Sequence, residues 1–136
     1  MNVEIEKARS NEISVKLNIA NDLKMFSNGS DMISVIGNIF DNAISYLSEN
    51  KIENKEIIFI TEHKGDYSVI KCKNKIIDSV LSKNPLLHTD KEDKKNHGKG
   101  ISIVKSIAEK YGGDVVISEK NNEFIVSVIL DNRIFT

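Results

Sequence analysis

Residues 34–47, SVIGNIFDNAISYL, set two asparagines four positions apart in a stretch that is otherwise largely apolar. Asparagine is a mediocre helix former that favours caps and turns. Even so, Ile33, Ile36, Phe40, Ala43, Ile44 and Leu47 recur at helical spacing, which predicts an amphipathic helix. Ser30 or Asp31 can cap its start after the turn Ser27-Asn28-Gly29, and it should run to about Ser48. On such a helix Asn38 and Asn42 project from one side, one turn apart. Tyr46 continues their row, away from the apolar stripe.

The flanking sequence supplies a sheet for this helix to cover. Ile13-Ser14-Val15-Lys16-Leu17-Asn18-Ile19 alternates apolar and polar residues, as a strand with one buried face does. Glu56 to Glu62 and Tyr67 to Lys73 read as two strands flanking a hairpin turn at Lys64-Gly65-Asp66. Residues 78–99 are irregular and polar, hold the only proline (Pro85), and include the charged run His88 to His97; a loop of this length is a functional lid or a disordered segment. Gly100 should open a second amphipathic helix, Ile101 to Tyr111, with Ile103, Val104, Ile107 and Ala108 inward and Gly112-Gly113 at its end. Strands at Val115 to Glu119 and Phe124 to Leu130, joined by an Asn121-Asn122 turn, close the chain. The order strand, helix, hairpin, loop, helix, hairpin predicts an α+β fold, a sandwich of helices on one face of a mixed, largely antiparallel sheet. Residues 3–10 (VEIEKARS) are charged and helix-compatible, and read as the tail of a longer helix.

Composition narrows the classes. With 136 residues, 40% hydrophobic and 29% charged, the chain has the makeup of one ordinary soluble domain. Its 19 Lys+Arg stand against 20 Asp+Glu, so it lacks the positive field of a nucleic-acid binder. The longest apolar runs, Ile57 to Ile60 and Phe124 to Val126, fall far short of the ~20 residues that span a bilayer, and no signal peptide is visible. Cys72 sits alone in an alternating run, which suits a small core residue in a reducing cytoplasm.

Two features carry chemistry. Gly98-Lys99-Gly100 stands where the polar loop meets the second helix, and glycines at a helix N-terminus let phosphates approach its unpaired N–H groups. A Rossmann fingerprint would need a third glycine where Ile103 stands, and the Walker A pattern is absent, so phosphates bound here would be held by another fold. Asparagine amide oxygens, as on Asn38 and Asn42, suit a hard cation such as Mg²⁺, which prefers oxygen donors and keeps substrate phosphates around it. The bland alternatives are a hinge and two solvent-facing asparagines. Lys91, Lys94, Lys95 and Lys99 against Asp90, Glu92 and Asp93 leave the loop a net charge of only +1, so specific contacts would have to order it.

Residues 38–46, NIFDNAISY, followed by residues 96–107, NHGKGISIVKSI, resemble the N box and G2 box of the GHKL ATPase superfamily in the form used by sensor histidine kinases. The resemblance covers residues 13–130, and its wording, GN-x-x-DNAI and NHG-x-G, is most similar to quorum-sensing kinases of the accessory-gene-regulator type from Gram-positive bacteria. It implies a Bergerat-type sandwich that binds Mg·ATP. Asn42 matches the Mg²⁺ ligand, Tyr46 an aromatic near adenine, Gly98 and Gly100 the pair shaping the phosphate end of the lid, and Lys99 a cation reaching the phosphates. Ile76, His97 and Ile101 complete the implied ATP-binding set. Asn74 falls where most relatives begin the G1 box with aspartate; its amide oxygen can still accept from the adenine amino group.

Asn38 stands where members that hydrolyse ATP, and anti-sigma serine kinases, carry a glutamate base. An asparagine cannot take a proton, so the resemblance implies phosphoryl transfer rather than hydrolysis, with Asn38 and Lys99 as the catalytic pair. The sequence departs from the family in lacking G1 glycines at Asn74-Lys75-Ile76 and a separate F box. None of His63, His88 and His97 lies on a long helix, so the phosphoacceptor histidine would belong to a dimerisation domain absent from this chain. On this reading residues 1–12 are the tail of a linker helix and residues 13–136 the catalytic domain of a cytoplasmic kinase portion. A response regulator would act downstream, and membrane association would come only through an N-terminal sensor region. The alternatives are a free-standing GHKL serine kinase of the anti-sigma type and a nucleotide-free interaction module.

Overall fold

In the computed structural model, which describes residues 2–20, 28–83 and 98–135, alternating apolar residues assemble one five-stranded sheet. The chain runs α1 (Asn2–Ser10), β1 (Ser14–Asn18), α2 (Gly29–Glu49), β2 (Glu56–Lys64), β3 (Tyr67–Lys75), α3 (Val80–Lys83), α4 (Gly98–Lys110), β4 (Asp114–Lys120) and β5 (Glu123–Asp131), ending in a 3-10 turn (Asn132–Phe135). Strand order is β1-β2-β3-β5-β4. Among the described strands only β1 and β2 are parallel; the other pairs are antiparallel. The sheet is thus mixed and largely antiparallel, as the pattern predicted. Asn121 and Asn122 both take positive φ, 52° and 59°, as a two-residue hairpin turn of matching twist requires.

The period of two puts Ile57 and Phe59 of β2, Ile70 and Cys72 of β3, and Phe124, Val126, Val128 and Leu130 of β5 into one buried face. Against it lie the stripe of α2 (Val35, Ile36, Ile39, Phe40, Ala43, Ile44, Leu47) and Ile101, Val104 and Ala108 of α4, all in one cluster. Phe40 and Phe59 meet with ring centroids 5.3 Å apart. The two helices run antiparallel: at the start of α2 the Asp31 carboxylate accepts from Lys110 Nζ (2.6 Å) and Tyr111 Oη (2.8 Å) at the far end of α4. The Gly112-Gly113 stop has two causes. Gly112 takes φ +73°, while a Cβ on Gly113 would lie 1.6 Å from the Ile129 carbonyl oxygen of β5.

The structure corrects several expectations. The cap of α2 is Asn28, whose side chain accepts from Ser30 N at 2.8 Å, and not Ser30 or Asp31. Ile33 is 71% exposed and Ile103 38%, so neither is the inward residue that its spacing suggests. Leu17 and Ile19 are also exposed: β1 is an edge strand, and its buried face holds only as far as Ile13 and, in part, Val15. The second helix begins at Gly98 rather than Gly100, so Gly98-Lys99-Gly100 is its first turn and not a hinge before it. Val80–Lys83 is helical inside the stretch expected to be irregular. Residues 84–97, with Pro85 and the whole charged run from His88 to His97, lie outside the described residues. Residues 3–10 are helical as expected, and they join the domain core: Ala8 is fully buried, and Lys7 Nζ lies 2.8 Å from Asp41 Oδ1 of α2. Cys72 is a core residue, its thiol pushed up to about 12 by burial. Among the described residues no helix is long and apolar enough to cross a membrane.

Candidate functional site

The polar row of α2 runs from the first turn of α4, at Asn38, to the segment that leaves β3, at Tyr46. Asn38 is half-buried. Its Nδ2 donates to Ser34 O of its own helix at 2.7 Å, the bond with which the side chain offsets its poor fit to a helix interior. That bond turns Oδ1 toward α4, where a Cβ on Gly100 would lie only 2.9 Å from it. Gly100 therefore lets the first turn of α4 come down onto the Asn38 amide. One turn on, Asn42 is half-buried, and its side chain makes no hydrogen bond to another described residue. Its amide oxygen is available to a ligand.

Tyr46 ends the row, and its hydroxyl is already engaged: Oη accepts from the Ile77 backbone N–H at 3.0 Å. The ring thus ties α2 to the segment leaving β3, in addition to any contact with a ligand. Asn74, on the inner face of β3, is only 4% exposed; its Nδ2 donates to Lys75 O at 3.1 Å, and its Oδ1 has no partner among the described residues. The buried Ile76 donates its backbone N–H to Asn122 O at 2.9 Å, and Ile101 is buried beside Gly100 in α4.

The structure therefore brings Asn38 and Gly100 together, places Asn42 and Tyr46 on the same helix face, and joins Tyr46 to the segment that follows the strand carrying Asn74. Gly98 and Lys99 open α4, but the Lys99 side chain and His97 lie outside the described residues. His63 is exposed on β2 with Nδ1 3.1 Å from Asn132 Nδ2. Among the described residues there is no group of three His, Cys, Asp or Glu able to hold a metal ion. A cation here would have to be held mainly by ligand oxygens plus a neutral donor, and the uncommitted Asn42 amide fits that requirement.

Sequence reasoning missed Glu119. On β4, Val115, Ile117 and Glu119 share the inner face, so a carboxylate occupies an apolar-face position. Its Oε1 accepts from Ser79 Oγ at 2.6 Å, and its Oε2 from Val80 N at 2.6 Å and Leu81 N at 3.1 Å. Burial alone would raise its pKa, but these three bonds together hold it below the usual carboxylate range. The out-of-pattern charge in an alternating strand was the available signal. Asp31 was read only as a cap. Its carboxyl is held below the usual range first by the Lys110 hydrogen bond and then by that of Tyr111.

Residues 28–131 match the GHKL domain family, and the chain belongs to that family. Solved structures share the fold. The nucleotide-free catalytic domain of histidine kinase ThkA superposes with a TM-score of 0.76 at 20% identity, over 96% of this chain and 88% of that one. ThkA in complex with the response regulator TrrA gives 0.74 at 15% identity, over 99% and 39%. Full-length ShkA in complex with AMPPNP gives 0.68 at 12% identity, over 96% and 28%. No curated protein sequence matches the chain.

Proposed function

We propose that this chain is the ATP-binding catalytic domain of a sensor histidine kinase, one that passes the γ-phosphoryl of Mg·ATP to a histidine on a separate dimerisation domain. The observation that carries the reading is the pair of amide oxygens, on Asn42 of α2 and Asn74 of β3, that have no partner among the described residues, with Tyr46 tying α2 to the segment that leaves β3. Asn74 Oδ1, fixed by the bond from Nδ2 to Lys75 O, accepts from the adenine amino group, with Ile76 and Tyr46 as the apolar lining. Asn42 Oδ1 would be the protein ligand to Mg²⁺, and Gly98, Lys99, Gly100 and Ile101 at the start of α4 would meet the phosphates, with His97 preceding them in the sequence. When bound, Mg²⁺ would supply charge neutralisation at the phosphates. Lys99 adds to that neutralisation, and Asn38, an amide already donating to Ser34 O, takes no proton from water. Positioning dominates the chemistry that remains.

Partnering follows the same reading. ThkA binds a response regulator, and this domain would serve one downstream of its own parent kinase. The wording of its boxes, most similar to that of quorum-sensing kinases of the accessory-gene-regulator type from Gram-positive bacteria, supports a parent of that type, in which α1 would continue from the dimerisation domain. The absence of G1 glycines at Asn74-Lys75-Ile76 favours, as a second reading, a nucleotide-free interaction module.

Calorimetric titration with Mg·ATP and Mg·ADP separates the two. The first reading expects binding that Asn42→Ala abolishes, with no autophosphorylation of the isolated chain. Heat from neither nucleotide supports the module, acid-labile phosphate on this chain alone overturns the missing-acceptor assignment, and transfer to a partner's serine revives the anti-sigma alternative.

A further inference from the structure

We infer that Glu119 is a positioning residue for the nucleotide site, acting from β4 through the segment that follows Asn74; the inference rests on the nucleotide reading given above. Strand register places Ile57, Asn74, Phe124 and Glu119 in one row across the inner face of β2, β3, β5 and β4. With neighbouring strands about 4.8 Å apart, Glu119 stands about 10 Å from Asn74, with Phe124 between them. From there its carboxylate reaches over to residues 79–81 and accepts all three of the hydrogen bonds described for it, two of them from the backbone that opens α3.

The segment between Asn74 and α3 is thus tied at successive points by groups from different elements. Ile76 N donates to Asn122 O of the β4–β5 turn, Ile77 N to Tyr46 Oη of α2, and Val80 N and Leu81 N to Glu119 of β4. Ile76 is buried, and Val80 and Leu81 pack against the core beneath. The three backbone bonds to the β4–β5 hairpin and the one to α2 therefore fix the course of the chain on the side where Asn74 and Ile76 would meet the base. This chain has Asn74-Lys75-Ile76, and its path is held from outside.

If the wall formed by residues 75–81 is correctly placed only part of the time, apparent affinity falls by that fraction. Losing a side-chain cap of this kind shifts such a local equilibrium by about fivefold. The test titrates Mg·ADP by calorimetry into the parent chain, Glu119→Ala, Glu119→Gln and Ser79→Ala, well below their unfolding temperatures. Glu119→Ala should bind about fivefold more weakly or worse. Glu119→Gln should stay within about twofold, since its Oε1 can still accept from both amides while its NH₂ donates to Ser79 Oγ. Ser79→Ala, which keeps both backbone bonds and serves should Glu119→Ala not fold, should lose about twofold.

A purely structural cap would lower the melting temperature of Glu119→Ala and leave its affinity unchanged. That result, or a Glu119→Gln chain no better than Glu119→Ala, overturns the inference alone. A parent chain that binds no Mg·ADP overturns the nucleotide reading itself, and the inference with it.

Discussion

Gly100→Ala and Asn38→Ala, made singly and together, test how the first turn of α4 is seated on α2. A methyl on Gly100 would come within 2.9 Å of Asn38 Oδ1 and 3.6 Å of its Cγ. Asn38 cannot simply yield, because its Nδ2 is held by the 2.7 Å bond to Ser34 O. Swinging the amide clear gives up that bond, at about 0.5–1.5 kcal/mol, and any residual crowding adds about 1–3 kcal/mol. Against this stands the gain of about 1 kcal/mol for alanine over glycine in a helix. Gly100→Ala should therefore destabilise the parent by about 1–3 kcal/mol. In an Asn38→Ala background the obstacle is gone, and the same change should be neutral or stabilising by up to about 1 kcal/mol. The cycle thus predicts a coupling of about 2 kcal/mol, with Asn38→Ala rescuing Gly100→Ala. Urea unfolding followed by far-ultraviolet circular dichroism measures all four chains without any nucleotide. Additivity within about 0.5 kcal/mol would refute the seating of Gly100 on the Asn38 amide.

The other expectations concern the closure of the helix pair, the core thiol and the chemistry. Gly113→Ala places a methyl 1.6 Å from a backbone oxygen of β5, which no rotamer change relieves; the thermal midpoint should fall by about 10 °C or more, and a midpoint within about 3 °C of the parent would contradict the contact. Asp31 has a folded pKa below its unfolded value of about 3.9, so its contribution is full above that pH and is lost as pH falls through the lower folded value. The stability gap between the parent and Asp31→Asn should therefore be complete at pH 6 and close below about pH 4; a gap independent of pH down to 2.5 refutes the clamp to Lys110 and Tyr111. Cys72, its thiol pushed up to about 12 by burial, should resist a thiol reagent at pH 8 in the native state and react on unfolding; rapid native labelling would contradict its placement. Replacing Asn38 with Glu should raise hydrolysis of ATP, and a variant that binds nucleotide with no increase would count against the role given to Asn38.

Much of the fold was legible because periodicity is a local property. Alternation in Glu56 to Glu62, Tyr67 to Lys73 and Phe124 to Leu130 predicts both strands and the faces they bury, and α2 and α4 follow from apolar spacing in the same way. Asn38, Asn42 and Tyr46 could be placed on one face of α2 from their spacing alone, and Gly112-Gly113 as a helix stop. What failed was the extent of burial. Spacing shows which side of a helix or strand is apolar, but not where its partner ends, so Ile33, Ile103, Leu17 and Ile19 were assigned to faces that the sheet and helices do not cover.

The partners of polar groups lay further out of reach. Tyr46 holds Ile77, 31 residues on, and Glu119 holds residues about 40 positions back. The insertion of β5 between β3 and β4 sets Asn74 and Glu119 in one row, although 45 positions separate them in the chain. The sequence by itself determined the five strands, the two long helices, the apolar side of each and the side-chain chemistry on offer, because these depend on neighbours within one or two turns. Only the tertiary structure decided which amide stayed uncommitted, which hydroxyl was engaged and which carboxylate held the wall beside Asn74, because a hydrogen bond needs its two groups within about 3 Å, whatever their separation along the chain.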